Sequence, residues 1–542
     1  IMNRNTTNFF GNTPLNKLPR SAFTMTPKLL TTMNTGEITP IFLKEIIPGE
    51  TITMDMASAI RMSTPVFPVM DDAMIDVYYF FVPNRIVHEH WPQFMGEDKT
   101  YDYEATPEYE VPYIKAPDKG WKKGTIADYY GIPINIPDLK ANALPFRGYC
   151  EIVNEWFRDQ NLANKLMVNY DDTILDGAND GDEIEVTQLG AKPYKAAKFH
   201  DLFTSCLPYP QKGPDVIMPF AGLAPVVLGD TFTPENTSGM TMYEKLNPTF
   251  KRYVANDGSG MGLANTGTNA GTNYLTPNNL YADLKVSEGT TINDFRNAMA
   301  VQKYYELLSR GGSRYREIIR SMFGVTSPDA RMQIPEYLGG FRDYINMDQV
   351  IQTSETTENS PQGNVAAYSL TNTYNSLFTK SFTEHGYLHG LAVIRTNHTY
   401  QQGLEKHWSK RNLFDYYFPV FANIGEQPVL NKEIYAQGTK EDEEVFGYQE
   451  PWYEHRYMPN RVTGAFRSTY TEGTLDSWHY GDHYKECPRL SKEWLEETKE
   501  NMDRTLAVTS AVEDQFLCDI KFIVTSVVPL PIHSTPGFNG HF

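Results

Sequence analysis

Between Glu37 and Pro83 apolar residues fall on every second position in one stretch and on nearly every position in the next. Ile52, Met54, Met56, Ile60 and Met62 alternate with Thr53, Asp55 and Arg61, the pattern of a strand with one buried face. From Met74 to Val82 bulky side chains occupy both alternating faces, so both need cover before Pro83 ends the ladder. Near the other end Phe516, Cys518, Ile520, Phe522 and Val524 alternate with Gln515, Asp519, Lys521 and Thr525, and Gly386 to Thr396 reads as a further core strand. If the first and last strands share one core, everything between them elaborates a single domain. The expected fold class is mainly β.

The remaining segments are read as additions to that core. Residues 1–36, rich in Asn, Thr and Pro, form an extended arm that needs another surface to order it, and residues 529–542 form an extended tail. A short helix is expected over Arg85 to Met95, broken by Pro92, and another over Ile152 to Met167; the run from Tyr101 to Pro137 is irregular. The strongest helix signal begins with Thr291-Ile-Asn-Asp294, carries Phe295, Met299, Tyr305 and Leu308 near one face, and ends at Gly311-Gly312. A second helix over Arg314 to Phe323 is closed by Gly324.

Composition changes between Gly213 and Gly289. From Asn256 to Asn279 the chain is nearly all small and polar, with Asp257 as its one charge; Gly258, Gly260 and Gly262 match no phosphate-binding loop, so a turn-rich insertion is expected. The length of 542 residues would suggest several domains, yet no low-complexity linker divides it. Aromatics make up 13% of the chain, enough for a large core and for contact surfaces as well.

Lys and Arg number 48 against 67 Asp and Glu, a formal net charge of -19. That balance argues against the whole chain wrapping nucleic acid, whose affinity comes from neutralised phosphates. A polyanion partner would need a local basic patch or a separate basic protein. No apolar run reaches membrane-spanning length and the start from Ile1 to Gly11 has no apolar signal core, so no membrane insertion and no secretion are expected. Cys150, Cys206, Cys487 and Cys518 lie far apart and are read as reduced, mostly buried thiols.

Patterns for chemistry are incomplete. Asp176, Asp180 and Gly181 occupy positions one, five and six of a calcium loop, but Ala178 and Thr187 stand where Asp or Asn and Glu are required, leaving a solvated acidic loop. His385 with His389, and His479 with His483, each lack a third ligand at a recognisable distance. The expectation is no metal site, no cofactor and no catalytic centre; no G-x-S-x-G, H-E-x-x-H or P-loop occurs. A glycan-active β protein, with two carboxylates across a cleft, is the competing reading of an acidic, aromatic-rich chain. Two basic stretches stand out as candidate nucleic-acid contacts: Arg310, Arg314, Arg316 and Arg320, and then Lys406, Trp408, Lys410 and Arg411. Clustered arginines on a helix pair more often form intramolecular ion pairs.

A family resemblance joins these observations. Phe67-Pro-Val-Met70, Tyr79-Phe-Phe-Val-Pro-Asn-Arg85, Thr204-Ser-Cys-Leu-Pro208, Arg310-Gly-Gly-Ser-Arg-Tyr315, Phe323-Gly-Val-Thr-Ser-Pro-Asp-Ala-Arg331, Thr399-Tyr-Gln-Gln-Gly-Leu404 and Gly425-Glu-Gln-Pro-Val-Leu-Asn-Lys-Glu-Ile-Tyr-Ala-Gln-Gly438 follow in order. In these the chain resembles the major capsid proteins of the Microviridae, small single-stranded DNA phages, in their gokushovirus branch. The resemblance implies an eight-stranded viral jelly roll with long inter-strand insertions carrying helices, assembled with itself into a T=1 icosahedral shell around a circular single-stranded genome. It implies further partners: a small basic DNA-binding peptide, a pilot protein, an internal scaffolding protein and a host surface receptor. It places the protein in the virion, assembled in the bacterial cytoplasm. The 213–289 insertion corresponds to a threefold protrusion thought to touch the host, represented here by Asn256, Met261, Asn265, Asn269 and Tyr274.

Overall fold

The alternation at Ile52–Met62 is realised as one long strand, Thr51–Met62, whose even-numbered side chains are all buried. In the computed structural model the described residues are 19–97, 109–214, 216, 226–228, 241–244, 247–256, 261–263, 275–277, 280–282, 292–311, 315–324, 332–356 and 361–533. The chain divides into two compact units, Ile1–Pro210 with Gly312–Phe542, and Gln211–Gly311.

Nine strands build the two large sheets of the first unit: β1 (Ser21–Met25), β2 (Lys28–Met33), β3 (Thr39–Ile46), β4 (Thr51–Met62), β5 (Ala73–Pro83), β6 (Glu336–Tyr344), β7 (Thr371–Ser381), β8 (Gly386–Thr396) and β9 (Phe516–Val528). One sheet runs β7, β4, β9, with β1 and then β2 pairing along the far edge of β9; the other runs β6, β5, β8, β3. Every pairing in them is antiparallel. The first and last strong strand signals are therefore neighbours, with Met62 opposite Phe516 and Met54 opposite Val524. Within the expected arm, Ser21–Met25 and Lys28–Met33 belong to the sheet, interrupted at Pro27, which cannot donate to a ladder, and residues 1–18 lie outside the described residues.

Between the sheets lies the main core. Ile52, Met54, Met56 and Ile60 of β4 and Ile520, Phe522 and Val524 of β9 meet Ile75, Val77, Tyr79 and Phe81 of β5. Burying each such aliphatic or aromatic side chain contributes roughly 1.5–3 kcal/mol. The opposite face of β5 presents Phe80 and Val82, which together with Leu391 and Val393 of β8 join a second core built by helix α1 (Leu144–Ile152) through Phe146, Tyr149 and Cys150, and by Trp121. So both faces of β5 are covered, as its unbroken run of bulky residues requires. The chain that follows β5 supplies the cover.

A buried carboxylate locks three strands of this sheet in register. Asp76 on β5 accepts from Arg342 Nε of β6 at 2.5 Å and from Arg395 of β8, and the Phe199 ring lies 4.5 Å and 4.1 Å from the two guanidinium carbons. At Gly340 of β6 a side chain is impossible, because a Cβ would stand 2.0 Å from the Val77 carbonyl oxygen. The register shifts just before it, between Tyr337 and Gly339.

Two helix expectations need correction. Instead of one helix over Arg85 to Met95 there are two single turns, Asn84–Val87 and Trp91–Phe94, and Pro92 starts the second because its missing N–H costs nothing in a first turn. The helix expected over Ile152 to Met167 lies earlier: α1 continues into a wider turn at Val153–Phe157, after which Arg158 is extended. The four cysteines are free thiols, three of them buried.

In the second unit the described strands form a four-stranded antiparallel sheet in the order Met261–Leu263, Asn247–Asn256, Thr241–Glu244, Leu275–Pro277, and a pair of Val226–Leu228 with Leu280–Ala282. Helix α2 (Ile292–Gly311) closes it, within the bounds its sequence signals suggest. The Lys212 amide donates to the Tyr305 carbonyl at 3.3 Å, and the Tyr305 ring crowds Gly213.

Candidate genome-contact cleft and assembly surface

The second basic stretch sits in the long connection between β8 and β9. Its chain is a succession of short turns, Lys406–Ser409, Leu413–Asp415 and Pro419–Phe421, because aromatics and prolines follow one another without the period of a helix or a strand. The Asp415 carboxylate accepts from the amides of Arg411 and Asn412 at 2.8 Å and 2.7 Å, and the Asp415 amide donates to the Asn412 carbonyl at 3.1 Å.

The first of these turns, Lys406–Ser409, borders a cavity of about 540 Å³ whose lining includes Lys406, Trp408, Lys410, Tyr453, Arg461 and Arg467. Two of these cations, Lys410 and Arg461, are paired with carboxylates. Lys410 Nζ lies 2.8 Å from Glu454 with only 7% of the side chain exposed, and this contact holds the Glu454 carboxyl below its usual range against the burial that would raise it. Lys406 Nζ stands 4.0 Å over the Tyr453 ring, and burial lowers its pKa. Arg461 forks onto Glu405 at 2.6 Å and 2.9 Å, and Arg467 donates to the Gln401 carbonyl at 3.0 Å. Glu433, its pKa raised by burial, takes the single proton of the Tyr453 hydroxyl, which lies 2.8 Å and 2.7 Å from the two carboxylate oxygens. Trp408, by contrast, is 70% exposed at the mouth, its ring 4.8 Å from that of His407, and Arg411 is exposed beside it. The cleft therefore offers an open aromatic face flanked by paired charges, suited to stacking rather than to collecting phosphates.

The same connection carries an apolar surface. Leu413, Phe414, Tyr416, Tyr417, Phe418 and Val420 are all exposed, Val420 by 88% and Phe414 by 71%. A run of this kind on one segment exceeds the scattered exposure of ordinary surfaces. Sequence reading passed over it for want of a period, although the density of Leu413-Phe-Asp-Tyr-Tyr-Phe-Pro-Val-Phe421 was signal enough.

The first basic stretch is less complete. Arg310 is exposed in the last turn of α2 in the smaller unit, and Arg320 is exposed in the last turn of α3 (Tyr315–Phe323) in the larger. Arg314 lies outside the described residues, as does the side chain of Arg316. Of the insertion residues, Asn256 and Met261 face each other across a strand pair, whereas Asn265, Asn269 and Tyr274 lie outside the described residues.

The histidine pairs singled out by spacing do not converge. His389 is buried against the Tyr130 hydroxyl at 2.9 Å, while His385 packs on Trp91. His479 accepts from the Gly481 amide and reaches the Phe466 carbonyl; His483 is exposed. In the acidic loop Asp180 pairs with Lys122 and Lys192, and Asp182 caps the turn at Glu183–Val186. No described helix is long and apolar enough to cross a membrane.

Comparison with known proteins gives the family. A family model described as capsid protein (F protein) matches residues 11–538. The chain is 42% identical over 535 residues to a capsid protein VP1 of Spiroplasma virus 4, covering 96% of each chain, and 39% identical to a capsid protein VP1 of Bdellovibrio phage phiMH2K, covering 98% of each. It is 36% identical to a capsid protein VP1 of Chlamydia phage 1 over 98% of this chain and 97% of that one. The chain belongs to the capsid protein (F protein) family of the Microviridae phages.

Proposed function

We propose that this chain is the major capsid protein of a gokushovirus-like phage, closing with copies of itself into a T=1 icosahedral shell around a circular single-stranded DNA genome. The observation that carries the reading is likeness to three phage capsid proteins along nearly their whole lengths. A jelly-roll fold is supported by strand order. With the interrupted β1–β2 counted as one strand, the first, last, third and sixth strands share one sheet and the second, seventh, fourth and fifth share the other.

The exposed run from Leu413 to Val420 serves as contact area between copies, where aromatic anchors are favoured and charge is sparse. Genome contact falls to Trp408 and Arg411 rather than to a broad basic surface, in keeping with the acidic net charge and with a separate small basic peptide supplying most of the neutralisation. The 213–289 insertion makes the threefold protrusion and touches the host; scaffolding and pilot proteins act during assembly in the host cytoplasm.

The nucleic acid inside purified particles tests this. Material protected from external nuclease should, after release, be cut by a single-strand-specific endonuclease and resist exonucleases. Protected duplex DNA, or no protected nucleic acid in particles from a productive infection, would contradict it.

A further inference from the structure

We propose that His88, His90 and Asp172 form a binding site for a first-row divalent cation, best suited to Zn²⁺. His88 Nε2 lies 2.6 Å from Asp172 Oδ1 and His90 Nδ1 lies 2.8 Å from Asp172 Oδ2, so two imidazoles from a His-x-His pair converge on one carboxylate. One donor atom from each of the three residues lies within 4.8 Å of the others. His88 is extended, with φ -143° and ψ 114°. Glu89 and His90 then turn, the Trp91 amide donating back to the His88 carbonyl at 3.2 Å, so both imidazoles sit on one tight turn.

The frame around the three residues is rigid. Buried Arg147 of α1 donates to the Val87 carbonyl at 3.2 Å and to the Asp171 carbonyl at 2.9 Å, clamping the residue before His88 to the residue before Asp172. The Glu89 amide donates to the Tyr170 carbonyl at 2.9 Å, pairing the same two segments once more. The Tyr109 ring stacks on His90 with centroids 4.4 Å apart, fixing the imidazole plane.

The donor set selects the ion. Two imidazole nitrogens and one carboxylate suit zinc and its first-row neighbours, whereas calcium and magnesium take oxygen ligands. Zinc bonds of about 2.0–2.2 Å at a tetrahedral ion put ligand atoms roughly 3.3 Å apart. His90 and Asp172 side chains are 30% and 35% exposed, so they can turn by that amount and leave an open side for a water. His88 is fully buried and, among the described residues, its Nδ1 has no hydrogen-bond partner, so the polar contact of the ring is the one that Nε2 makes toward the site. The bound ion would tie the chain after β5 to the acidic loop that follows α1, adding to the Arg147 and Glu89 hydrogen bonds that already join the two segments.

Purified particles, stripped with a chelator and desalted, should regain one Zn²⁺ per chain by mass spectrometry of the metal, with a thermal midpoint that rises on zinc addition. Co²⁺ in its place should give visible bands of a four-coordinate nitrogen and oxygen site. His90→Gln and Asp172→Asn, both at half-exposed positions, should each abolish stoichiometric uptake and the cobalt bands, while exposed His483→Gln should change neither. If His90→Gln fails to give particles, Asp172→Asn and the cobalt spectrum of the unmutated protein still decide. Less than stoichiometric zinc in the unmutated protein, or uptake unaffected by His90→Gln, would overturn the proposal.

Discussion

His398 Nδ1 lies 2.8 Å from Asp482 Oδ2, with both side chains buried. The other ring nitrogen is 2.9 Å from Glu497 Oε2, Asn501 supports Asp482 at 3.0 Å, and Thr396, the last residue of β8, supports Glu497 at 3.1 Å. Burial disfavours the charged ring, but the two carboxylates outweigh it and hold the His398 pKa up at about 10; the imidazolium in turn holds Asp482 down at about 2. The cluster fastens the connection between β8 and β9 to the end of the sheet.

Stability should therefore peak near neutrality, for opposite reasons on its two sides. His398, raised from 6.5 to about 10, contributes fully below pH 6.5 and loses that contribution as pH rises through 10. His389, buried and lowered from 6.5 to about 3, contributes above 6.5 and loses it as pH falls through 3. Denaturant midpoints across that range should show His398→Gln flattening the alkaline limb and His389→Gln the acid limb. An unchanged alkaline limb in His398→Gln would show that the ring carries no charge in the fold.

Replacing Trp408 by Ala together with Arg411 by Glu should lower packaged DNA while leaving shells intact, because stacking on an aromatic ring contributes about 1–3 kcal/mol per base. Lys410→Met should behave differently, since it strips Glu454 of its partner and costs about 2–4 kcal/mol of stability, part of which Glu454→Gln restores. DNA per particle and thermal midpoints measured side by side separate the two effects. Normal packaging in the double variant would remove Trp408 from the genome surface.

Phe414→Asp and Val420→Asp should leave the isolated chain folded, with stability changed by no more than about 0.5 kcal/mol, because both side chains are exposed. They should nevertheless stop shell formation. Sedimentation would read the loss of particles and circular dichroism the retained fold; particles of normal yield would exclude this run from the contact face.

Deleting residues 256–279 should leave assembly largely intact and impair attachment to host cells. Loss of all particles would count against a peripheral protrusion, and normal adsorption would assign attachment elsewhere.

What the sequence made legible follows from burial geometry. β4, β5, β8 and β9 stood out because one or both faces enter a core, and burial imposes either alternation or an unbroken apolar run. β6 and β7 escaped notice: Glu336–Tyr344 is interrupted by Gly339-Gly340 and Thr371–Ser381 is largely polar, because both strands lie at sheet edges and carry mixed exposure. Charge was misleading in the cleft. Lys406 and Lys410 read as free cations, yet the Tyr453 ring under the one and the Glu454 carboxylate beside the other come from well beyond them in sequence. The His88-x-His90 pair was overlooked because its third member, Asp172, is brought in only by the fold.

The central claim is best tested by cryo-electron microscopy of particles purified from infected cells. The account predicts closed T=1 icosahedral shells in which each chain contributes two facing four-stranded sheets, with protrusions on the threefold axes. A monomer or small open oligomer as the mature form from such cells would contradict it.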